Sequence, residues 1–210
     1  MDKTKVAVEV FNKRANQYQE KFMDVSLYND TFDLFCDKIT KENASVLELA
    51  CGPGNITKYL LNKRPDLKIL GTDLAPNMLE LAKINNPAAE FKLMDCRDIA
   101  TINKKYDAIM CGFCFPYLSK EEAVKLIHDA SEILEPKSLI YISTMEDDYH
   151  KSGIRRGSYG DEIYIHFHQA DYLADALFEN NFKLIEIQRK DFPNPDGTIT
   201  IDLVLIAGLR

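Results

Sequence analysis

The sequence has no long apolar run and no recognisable export signal. No stretch of its 210 residues approaches the roughly 18 consecutive apolar residues that a membrane-spanning helix needs. The first residues, Met1-Asp2-Lys3-Thr4-Lys5, lack the apolar segment and the cleavage site of a signal peptide. We therefore expect a protein that neither spans a membrane nor is exported, and we predict a cytoplasmic location.

Basic residues are outnumbered by acidic ones and form no extended cluster. The formal net charge is −7, from 26 Lys and Arg against 33 Asp and Glu. Nucleic-acid binding relies on clustered Lys and Arg that neutralise phosphates, and the pair Arg155-Arg156 is too small for such a footprint. The composition argues against a nucleic-acid partner and favours a small molecule. A monomer and a homodimer both remain open.

Cysteines are few and odd in number, which argues against a disulfide framework. The five thiols of a chain without an export signal are expected to be reduced. Cys111 and Cys114 have the spacing of half a metal or redox site, but no second Cys pair or Cys/His pair at ligand spacing accompanies them. We expect these thiols to pack beside the apolar run Ala108-Ile109-Met110, and we expect no metal.

Short apolar runs alternate with amphipathic segments after a helical N-terminal stretch of residues 5–40. Strands are predicted at 45–49, 67–72, 90–94, 107–112 and 138–144, and helices at 55–63, 76–85 and 120–134. This alternation indicates an α/β fold with a doubly wound parallel sheet. Near the C-terminus, a helix at 170–180 precedes two strands joined by the loop Asn194-Pro195-Asp196-Gly197. A loop that short joins antiparallel strands.

A glycine turn follows the first predicted strand and leads into a helix. In the segment 46–55, Glu48 lies near the strand end, and Gly52 and Gly54 flank a proline, so the backbone can turn sharply and approach a ligand closely. The second predicted strand ends in Asp73, about twenty residues further on, where a carboxylate can bind the two hydroxyls of a ribose. The sequence therefore predicts a nucleoside site at the carboxyl edge of the sheet.

This arrangement resembles the first two motifs of the class I S-adenosylmethionine-dependent methyltransferases, and in particular those that act on small molecules. The resemblance implies a single doubly wound, Rossmann-like sheet of seven strands, mostly parallel, with an antiparallel C-terminal hairpin. It also implies an N-terminal helical lid (1–42), a cofactor-binding core (43–145), an insertion after the fifth strand (146–169) and a C-terminal helix with antiparallel strands (170–210). All four segments are expected to form one domain.

The resemblance assigns S-adenosylmethionine to the strand tips. Glu48 is expected to accept a hydrogen bond from the ammonium of the methionine moiety, and Asp73 to bind the ribose hydroxyls. Met78 is expected to cover the adenine, while Asp95 and Cys96 bind its edge. The full set of expected cofactor-binding residues is Tyr18, Glu48, Ala50, Cys51, Gly52, Gly54, Asp73, Leu74, Met78, Asp95, Cys96, Cys111 and Phe113.

One position departs from the family pattern, which usually has glycine where Ala50 stands. Alanine costs little at that position if its φ angle is negative. We expect the substitution to change no role in the site.

Methyl transfer needs few diagnostic side chains, and no catalytic residue is assigned. Candidates for the acceptor pocket are Tyr28, Tyr117, His166 and His168. The segment 163–168 alternates like a strand, which places the two histidines on one face, and one of them is a candidate general base. The alternative is a strand with one solvated face.

Two other functions are compatible with parts of the pattern. A nicotinamide-dependent oxidoreductase also pairs a glycine loop with a downstream acidic residue, but Thr57 stands where its third glycine is needed. The pair Tyr59 and Lys63 has the spacing of a reductase motif but lies on the helix beside the glycine loop, away from any nicotinamide. A catalytically silent protein that binds S-adenosylmethionine for sensing or assembly is the other alternative.

Overall fold

A computed structural model describes residues 3–157, 160–194 and 196–210. Three predictions reach beyond these residues. The residues outside the described part of the chain are Met1 and Asp2, which were compared with a signal peptide, residues 158–159 of the predicted insertion, and Pro195 of the predicted hairpin loop.

The N-terminal stretch predicted as helical forms three helices. They are α1 (Lys3–Lys13), α2 (Ala15–Phe22) and α3 (Asn29–Lys38), and a short 3₁₀ turn (Ser26–Tyr28) precedes α3. The chain leaves helical geometry at Arg14, where φ is −106° and ψ is 18°, and again at Val25. These breaks let α1 and α2 lie over one edge of the sheet while α3 buries Phe32 and Phe35 against its face.

The central sheet has seven strands, as predicted. Its strands are β1 (Ser45–Leu49), β2 (Lys68–Asp73), β3 (Glu90–Leu93), β4 (Tyr106–Gly112), β5 (Leu134–Glu146), β8 (Phe182–Pro193) and β9 (Ile199–Leu209). The helices that connect them are α4 (Asn55–Lys63), α5 (Pro76–Asn85), α6 (Lys120–Ile133) and α7 (Ala170–Glu179). Pro76 begins α5, and Ser119 and Glu122 form a capping box at the start of α6.

The strand order in the sheet is β3-β2-β1-β4-β5-β9-β8. The first five strands are parallel, while β9 runs antiparallel between β5 and β8. The strand order reverses between β1 and β4, which leaves a crevice beyond their carboxyl ends where ligands bind in such sheets. The predicted fold class is thus confirmed, including the antiparallel C-terminal hairpin.

Helices cover both faces of the sheet, and a buried apolar cluster lies on each. One cluster joins α6 and α7 to alternate residues of the strands, including Leu47 and Ile109. The other joins α3 and α4 to the opposite face, including Val46 and Ala108. Because both faces are buried, the strands read as continuous apolar runs rather than as alternating patterns.

The insertion after β5 forms a separate two-stranded hairpin, β6 (Gly153–Arg156) and β7 (Glu162–Ile165). The prediction of a strand over 163–168 is therefore wrong beyond Ile165. There the chain turns away to pair with other elements: the His166 N–H donates to Pro116 O (2.8 Å), and His168 bridges in parallel to Glu146. None of the helices in the described ranges is long and apolar enough to cross a membrane.

Candidate functional site

A cavity of about 100 Å³ lies at the point where the strand order reverses. Its walls come from α1, α2, the loops that follow β1, β2, β3 and β4, and the start of α5. The lining residues are Thr4, Ala7, Val8, Phe11, Tyr18, Ala50, Gly52, Asp73, Leu74, Met78, Met94, Asp95, Cys96, Gly112, Phe113, Cys114, Tyr117 and Leu118. Sites for drug-sized ligands have volumes of roughly 300–1,000 Å³. The volume is below this range, and residues of α1 and α2 form part of the wall.

The loop between β1 and α4 contains three residues with positive φ. Ala50 has φ 52°, Gly52 has φ 53° and Gly54 has φ 77°. The condition under which alanine costs little, a negative φ at Ala50, is not met, because the chain must turn at once from the tip of β1 while the Cys51 N–H donates to Thr72 O (2.9 Å). An L-residue in the left-handed region costs roughly 1–2 kcal/mol, so Ala50 adds strain to this loop.

Gly54 is hydrogen-bonded to Asn86, at the end of helix α5, and the sequence analysis did not predict this contact. The Asn86 Nδ2 amide donates to Gly54 O (2.9 Å), and a Cβ built on Gly54 lies 2.3 Å from that nitrogen. The glycine is therefore required for close approach as well as for its φ. The only signal in the sequence was a polar residue at the end of α5, and that position is also common for a helix cap.

Asp73, at the tip of β2, is held by backbone N–H groups. Gly52 N donates to its Oδ2 (2.9 Å), and Ala75 N donates to its Oδ1 (2.8 Å). Each carboxylate oxygen has a further lone pair, so the group can accept additional hydrogen bonds from a ligand. Burial raises the pKa of Asp73, and the backbone donors oppose this shift. The carboxylate is thus fixed in orientation and lines the cavity.

Glu48 lies behind the cavity wall, 1% exposed, and does not line it. Thr57 Oγ1 donates to its Oε2 (2.5 Å), while Oε1 has no hydrogen-bond partner in the described part of the chain. Burial raises the pKa of Glu48 to about 7, against the opposing effect of the Thr57 hydrogen bonds. A buried carboxylate with an unsatisfied oxygen costs free energy that a cationic ligand group would recover.

Asp95 is fixed by Arg97, which sequence reasoning did not single out. The guanidinium contacts both oxygens of Asp95, with Nη2 at 2.6 Å from Oδ2, and also reaches Glu122 (3.1 Å) of the α6 capping box. Burial alone would raise the pKa of Asp95, but the hydrogen bonds and charge of Arg97 hold it below its usual value. Arg97 also donates to Thr4 Oγ1 (3.4 Å), which connects this carboxylate to α1.

Helices α1 and α2 lie directly over the glycine loop. Tyr18 is the residue that a Cβ on Gly52 would meet, at 3.8 Å, and its ring packs edge-on to Phe11 (centroids 5.7 Å). Asn12 binds Asn77 at the start of α5 through two hydrogen bonds of 2.8 Å. Burial, together with the charge of Asp73, raises the pKa of Tyr18 to about 12, so this phenol stays protonated near neutral pH.

The β6–β7 hairpin is fastened to α1. Arg14 Nε lies 2.7 Å and Lys13 Nζ 3.3 Å from Asp161, and Lys3 Nζ lies 3.5 Å from the centre of the Tyr164 ring. The N-terminal lid and the insertion are therefore in contact with each other. The sequence analysis predicted the two segments but no contact between them.

Two thiols face each other in the cavity wall. Cys114 Sγ lies 3.2 Å from Cys96 Sγ, and Cys111 is fully buried behind them. The structure describes all five cysteines, and all are free thiols. No cluster of His, Cys, Asp and Glu with the geometry of a metal site occurs among the described residues.

Most residues predicted to bind the cofactor line the cavity: Tyr18, Ala50, Gly52, Asp73, Leu74, Met78, Asp95, Cys96 and Phe113. The others lie behind its wall: Glu48, Cys51, Gly54 and Cys111. The structure thus brings the strand tips together at one edge of the sheet. The binding role of each residue remains a prediction.

The four candidates for the acceptor pocket are divided. Tyr117 lines the cavity, with its ring 5.0 Å from that of Phe11. Tyr28, His166 and His168 are not among the described residues that line it. The rings of His166 and His168 are neighbours (centroids 6.5 Å), but they pack behind the 3₁₀ turn that carries Tyr117.

His168 is placed to support that turn. Its Nε2 lies 2.8 Å from Phe115 O, its Nδ1 contacts the Tyr172 hydroxyl, and its side chain is completely buried. Burial lowers the pKa of His168 to about 4, so the ring is neutral near pH 7, with Nε2–H donating to the carbonyl. Both ring nitrogens therefore have partners, and neither faces the cavity.

The lining combines polar and apolar groups. It includes two carboxylates (Asp73 and Asp95), apolar side chains such as Met78, and aromatic rings from α1, α2 and the loop after β4. The arrangement can hold a nucleoside by its hydroxyls and exclude water from a second compound beside it.

The chain is similar in sequence to known proteins. A family model described as a methyltransferase domain matches residues 46–137. The chain is 27% identical over 155 residues to putative methyltransferase 235L of Invertebrate iridescent virus 6, a match that covers 71% of this chain and 57% of that protein. It is 30% identical over 112 residues to a malonyl-[acyl-carrier protein] O-methyltransferase of Acetivibrio thermocellus, covering 52% of this chain and 39% of that protein. The chain thus spans about half the length of these curated relatives.

The fold is also similar to solved structures. Magnesium protoporphyrin IX methyltransferase from Synechocystis PCC 6803, solved with bound SAM, superposes with a TM-score of 0.75 at 15% identity. The match covers 100% of this chain and 98% of that one. At this level of identity the likeness concerns the fold alone.

Proposed function

We propose that the chain is a class I S-adenosylmethionine-dependent methyltransferase that transfers a methyl group from S-adenosylmethionine to a small-molecule acceptor. The observation that carries the proposal is the cavity at the strand-order reversal, which is lined by Asp73 with its carboxylate held by the N–H groups of Gly52 and Ala75. We also propose a cytoplasmic location.

The residues around the cavity fit an adenosyl sulfonium ligand. Asp73 retains acceptor capacity that suits two ribose hydroxyls. Asp95, which is held by Arg97, is the proposed acceptor for the amino group of a base. Glu48 has an unsatisfied oxygen beneath the glycine loop, which suits the ammonium of the methionine moiety directly or through a water molecule. Met78 is placed to cover an adenine face with a polarizable side chain.

S-adenosylmethionine supplies a methyl group that is activated by a positively charged sulfur. The chain itself has to align the acceptor with that carbon and to exclude water, so proximity contributes most of the rate enhancement. Phe11 and Tyr18 of the lid close the cavity from above. The 3₁₀ turn with Tyr117 closes it on the acceptor side, supported from behind by His168.

A small acceptor is favoured by the walls of the site and by the charge of the chain. Residues of α1 and α2 form part of the cavity wall, and its lining is mostly apolar. The net charge of −7 disfavours a nucleic acid. A monomer or a homodimer would serve this function equally well.

Asp73→Ala tests the cofactor assignment. We expect it to weaken S-adenosylmethionine binding by about 2–4 kcal/mol in titration calorimetry, because two charge-assisted hydrogen bonds to the ribose are lost. Asp175→Ala, which removes an exposed carboxylate from α7, is the matched control and should leave affinity unchanged. Equal affinity of the Asp73 variant and the wild type, or binding of NAD⁺ in place of S-adenosylmethionine, would contradict the proposal.

The silent sensor remains the second candidate, because methyl transfer requires few side chains of its own. Release of S-adenosylhomocysteine in the presence of a panel of small metabolites distinguishes the two functions. An enzyme produces it in proportion to a methylated product, whereas a sensor binds the cofactor and releases none with any acceptor.

A further inference from the structure

Arg97 lies behind the cavity wall and contacts three different parts of the fold. It is the second residue of a 3₁₀ helix (Cys96–Thr101) that follows β3, and it does not itself line the cavity. Its Nη1 donates to Glu122 Oε1 (3.1 Å) on α6 and to Thr4 Oγ1 (3.4 Å) on α1, while its Nε and Nη2 donate to Asp95. The guanidinium therefore joins the carboxylate of Asp95 to the lid and to α6.

The carboxylate that holds Arg97 on its far side is itself fixed. Glu122 belongs to the capping box of α6, in which its Oε2 accepts a hydrogen bond from the Ser119 N–H (2.8 Å). Its other oxygen, Oε1, accepts the hydrogen bond from Arg97. Because this acceptor is part of a hydrogen-bonded helix start, it limits the movement of the guanidinium.

Arg97 supplies three N–H groups to the carboxylate of Asp95. Its backbone N–H donates to Oδ1 (2.9 Å), its Nε lies 3.0 Å from both oxygens, and its Nη2 donates to Oδ2 (2.6 Å). The thiol of Cys96 also neighbours this carboxylate, but a thiol is a weak donor that a stronger donor replaces. Since an ionised carboxylate has about four acceptor sites, Asp95 keeps capacity for one further donor in the cavity that it lines.

In this environment Asp95 accepts hydrogen bonds and does not donate them. Burial alone would raise the pKa of its carboxyl group, but the hydrogen bonds and the charge of Arg97 hold that pKa below its usual value, so the group is ionised near neutral pH. A ligand group that meets Asp95 must therefore bring an N–H or O–H. A carbonyl oxygen in the same place would leave two acceptors facing each other without a proton, which costs binding free energy.

We propose that Arg97 is the positioning residue for base recognition. It holds Asp95 as a fixed acceptor in the cavity wall, so that the site binds a nucleoside whose base presents an amino group and rejects one whose base presents a carbonyl oxygen there. This inference rests on the proposed cofactor and adds a residue that determines its specificity. Arg97 acts through Asp95, since it does not line the cavity itself.

A lysine in place of Arg97 would keep the positive charge but lose the geometry. The guanidinium is planar, and its separate nitrogens meet Asp95 on one side and Glu122 and Thr4 on the other. A lysine has a single nitrogen on a flexible chain and cannot bind partners on both sides at once. Arg97→Lys therefore separates the positioning of Asp95 from the charge beside it.

The test compares two ligands of the full chain in titration calorimetry. They are S-adenosylhomocysteine and S-inosylhomocysteine, in which a carbonyl oxygen replaces the amino group of the base. The wild type should bind the adenosyl compound about 10- to 150-fold more tightly, the factor that one hydrogen bond to a charged group implies. Arg97→Lys should reduce this ratio to within about threefold. Because the ratio compares two ligands on the same protein, a partly unfolded variant still gives a valid value.

Arg64→Lys is the matched control. Arg64 also binds a carboxylate through Nε and Nη2, each 2.8 Å from Asp66, and donates from Nη1 to Ile39 O (2.8 Å). It is not among the described residues that line the cavity. Its substitution should leave the ratio of the two affinities unchanged, even where the stability of the protein falls.

Asp95→Asn tests the same contact from the other side. It should also lose the ratio, because an amide offers a donor as well as an acceptor, and adding Arg97→Lys to it should cause no further change. A further change in the double variant, an undiminished ratio in Arg97→Lys, or equal binding of the two compounds by the wild type would overturn this inference and leave the proposed function standing. A wild type that binds neither compound would remove both proposals.

Discussion

At the scale of single residues, Glu48 is the buried group whose ionisation bears most directly on stability. Its pKa is about 7 in the folded protein and near 4.5 in an unfolded chain. A carboxyl group with a raised folded pKa binds more protons in the folded state between these two values. Its contribution to stability is therefore complete below about pH 4.5 and is lost as the pH rises through about 7.

Glu48→Gln should remove this dependence. Over the window from pH 4.5 to 7.5, the free energy of unfolding of the wild type should fall relative to that of the variant by up to about 3 kcal/mol, as the size of the pKa shift implies. Urea unfolding of the ligand-free proteins at several pH values measures the difference. Other buried titrating groups, such as Asp202 and His168, are present in both proteins and cancel. Parallel pH profiles would show that Glu48 does not titrate in this range.

The position of a site residue could be predicted where it depends on its place along the chain. Asp73 could be predicted because it ends a strand that follows a glycine turn by a fixed spacing. Arg97 and Asn86 could not, because each acts on a residue that only the fold brings near. The positive φ of Ala50 was missed because it depends on the path from β1 into the loop. The pattern of side chains in the sequence does not show which backbone path the chain takes from β1 into the loop.

At the scale of elements, the two histidines of the insertion are best understood through the turn that they support. His168 is completely buried, its Nε2 binds Phe115 O and its Nδ1 contacts the Tyr172 hydroxyl. It connects the end of the insertion with α7 and with the turn that places Tyr117 in the cavity wall. We therefore expect the main role of His168 to be structural: it stabilises the turn that carries Tyr117.

His168→Ala should lower the free energy of unfolding by about 2–4 kcal/mol, because it opens a cavity and removes the side-chain hydrogen bond to Phe115 O and the contact with the Tyr172 hydroxyl. Any loss of activity should follow that destabilisation. His128→Ala, on the exposed face of α6, is the control and should change stability by less than about 0.5 kcal/mol. Denaturant unfolding of both variants gives the comparison. A His168 variant as stable as the wild type but inactive would instead support the sequence-based view of a histidine in the acceptor pocket.

The elements of the sheet were predictable because each strand is buried on both faces and each connection is short. The insertion was less predictable, because alternation over 163–168 fits a strand equally well whether or not a partner strand continues beside it. Pairing ends at Ile165, where Gly153 begins the partner strand β6. The helical character of the N-terminal stretch was predictable, but the helix ends were not, because periodicity does not show where a helix ends when no proline or glycine interrupts it.

At the scale of the whole molecule, the lid is a separate packing unit. The two large apolar clusters that cover the sheet contain no residue before Val25. Helices α1 and α2 pack instead in a small cluster of their own, in which Ala15, Phe11 and Tyr18 meet Ala75 and Met78. Stability of the sheet and closure of the site therefore depend on different parts of the sequence.

A chain that begins at Val25 should consequently keep the sheet and lose the site. We expect cooperative thermal unfolding and strand content like that of the full chain by circular dichroism, since both large clusters are intact. S-adenosylmethionine should bind about 10- to 100-fold more weakly in calorimetry, which corresponds to about 1.4–2.7 kcal/mol, because the wall formed by Phe11 and Tyr18 is gone. Unfolding of the shortened chain would show that the lid is part of the folding core. Undiminished affinity would show that the cofactor is held by the strand tips alone.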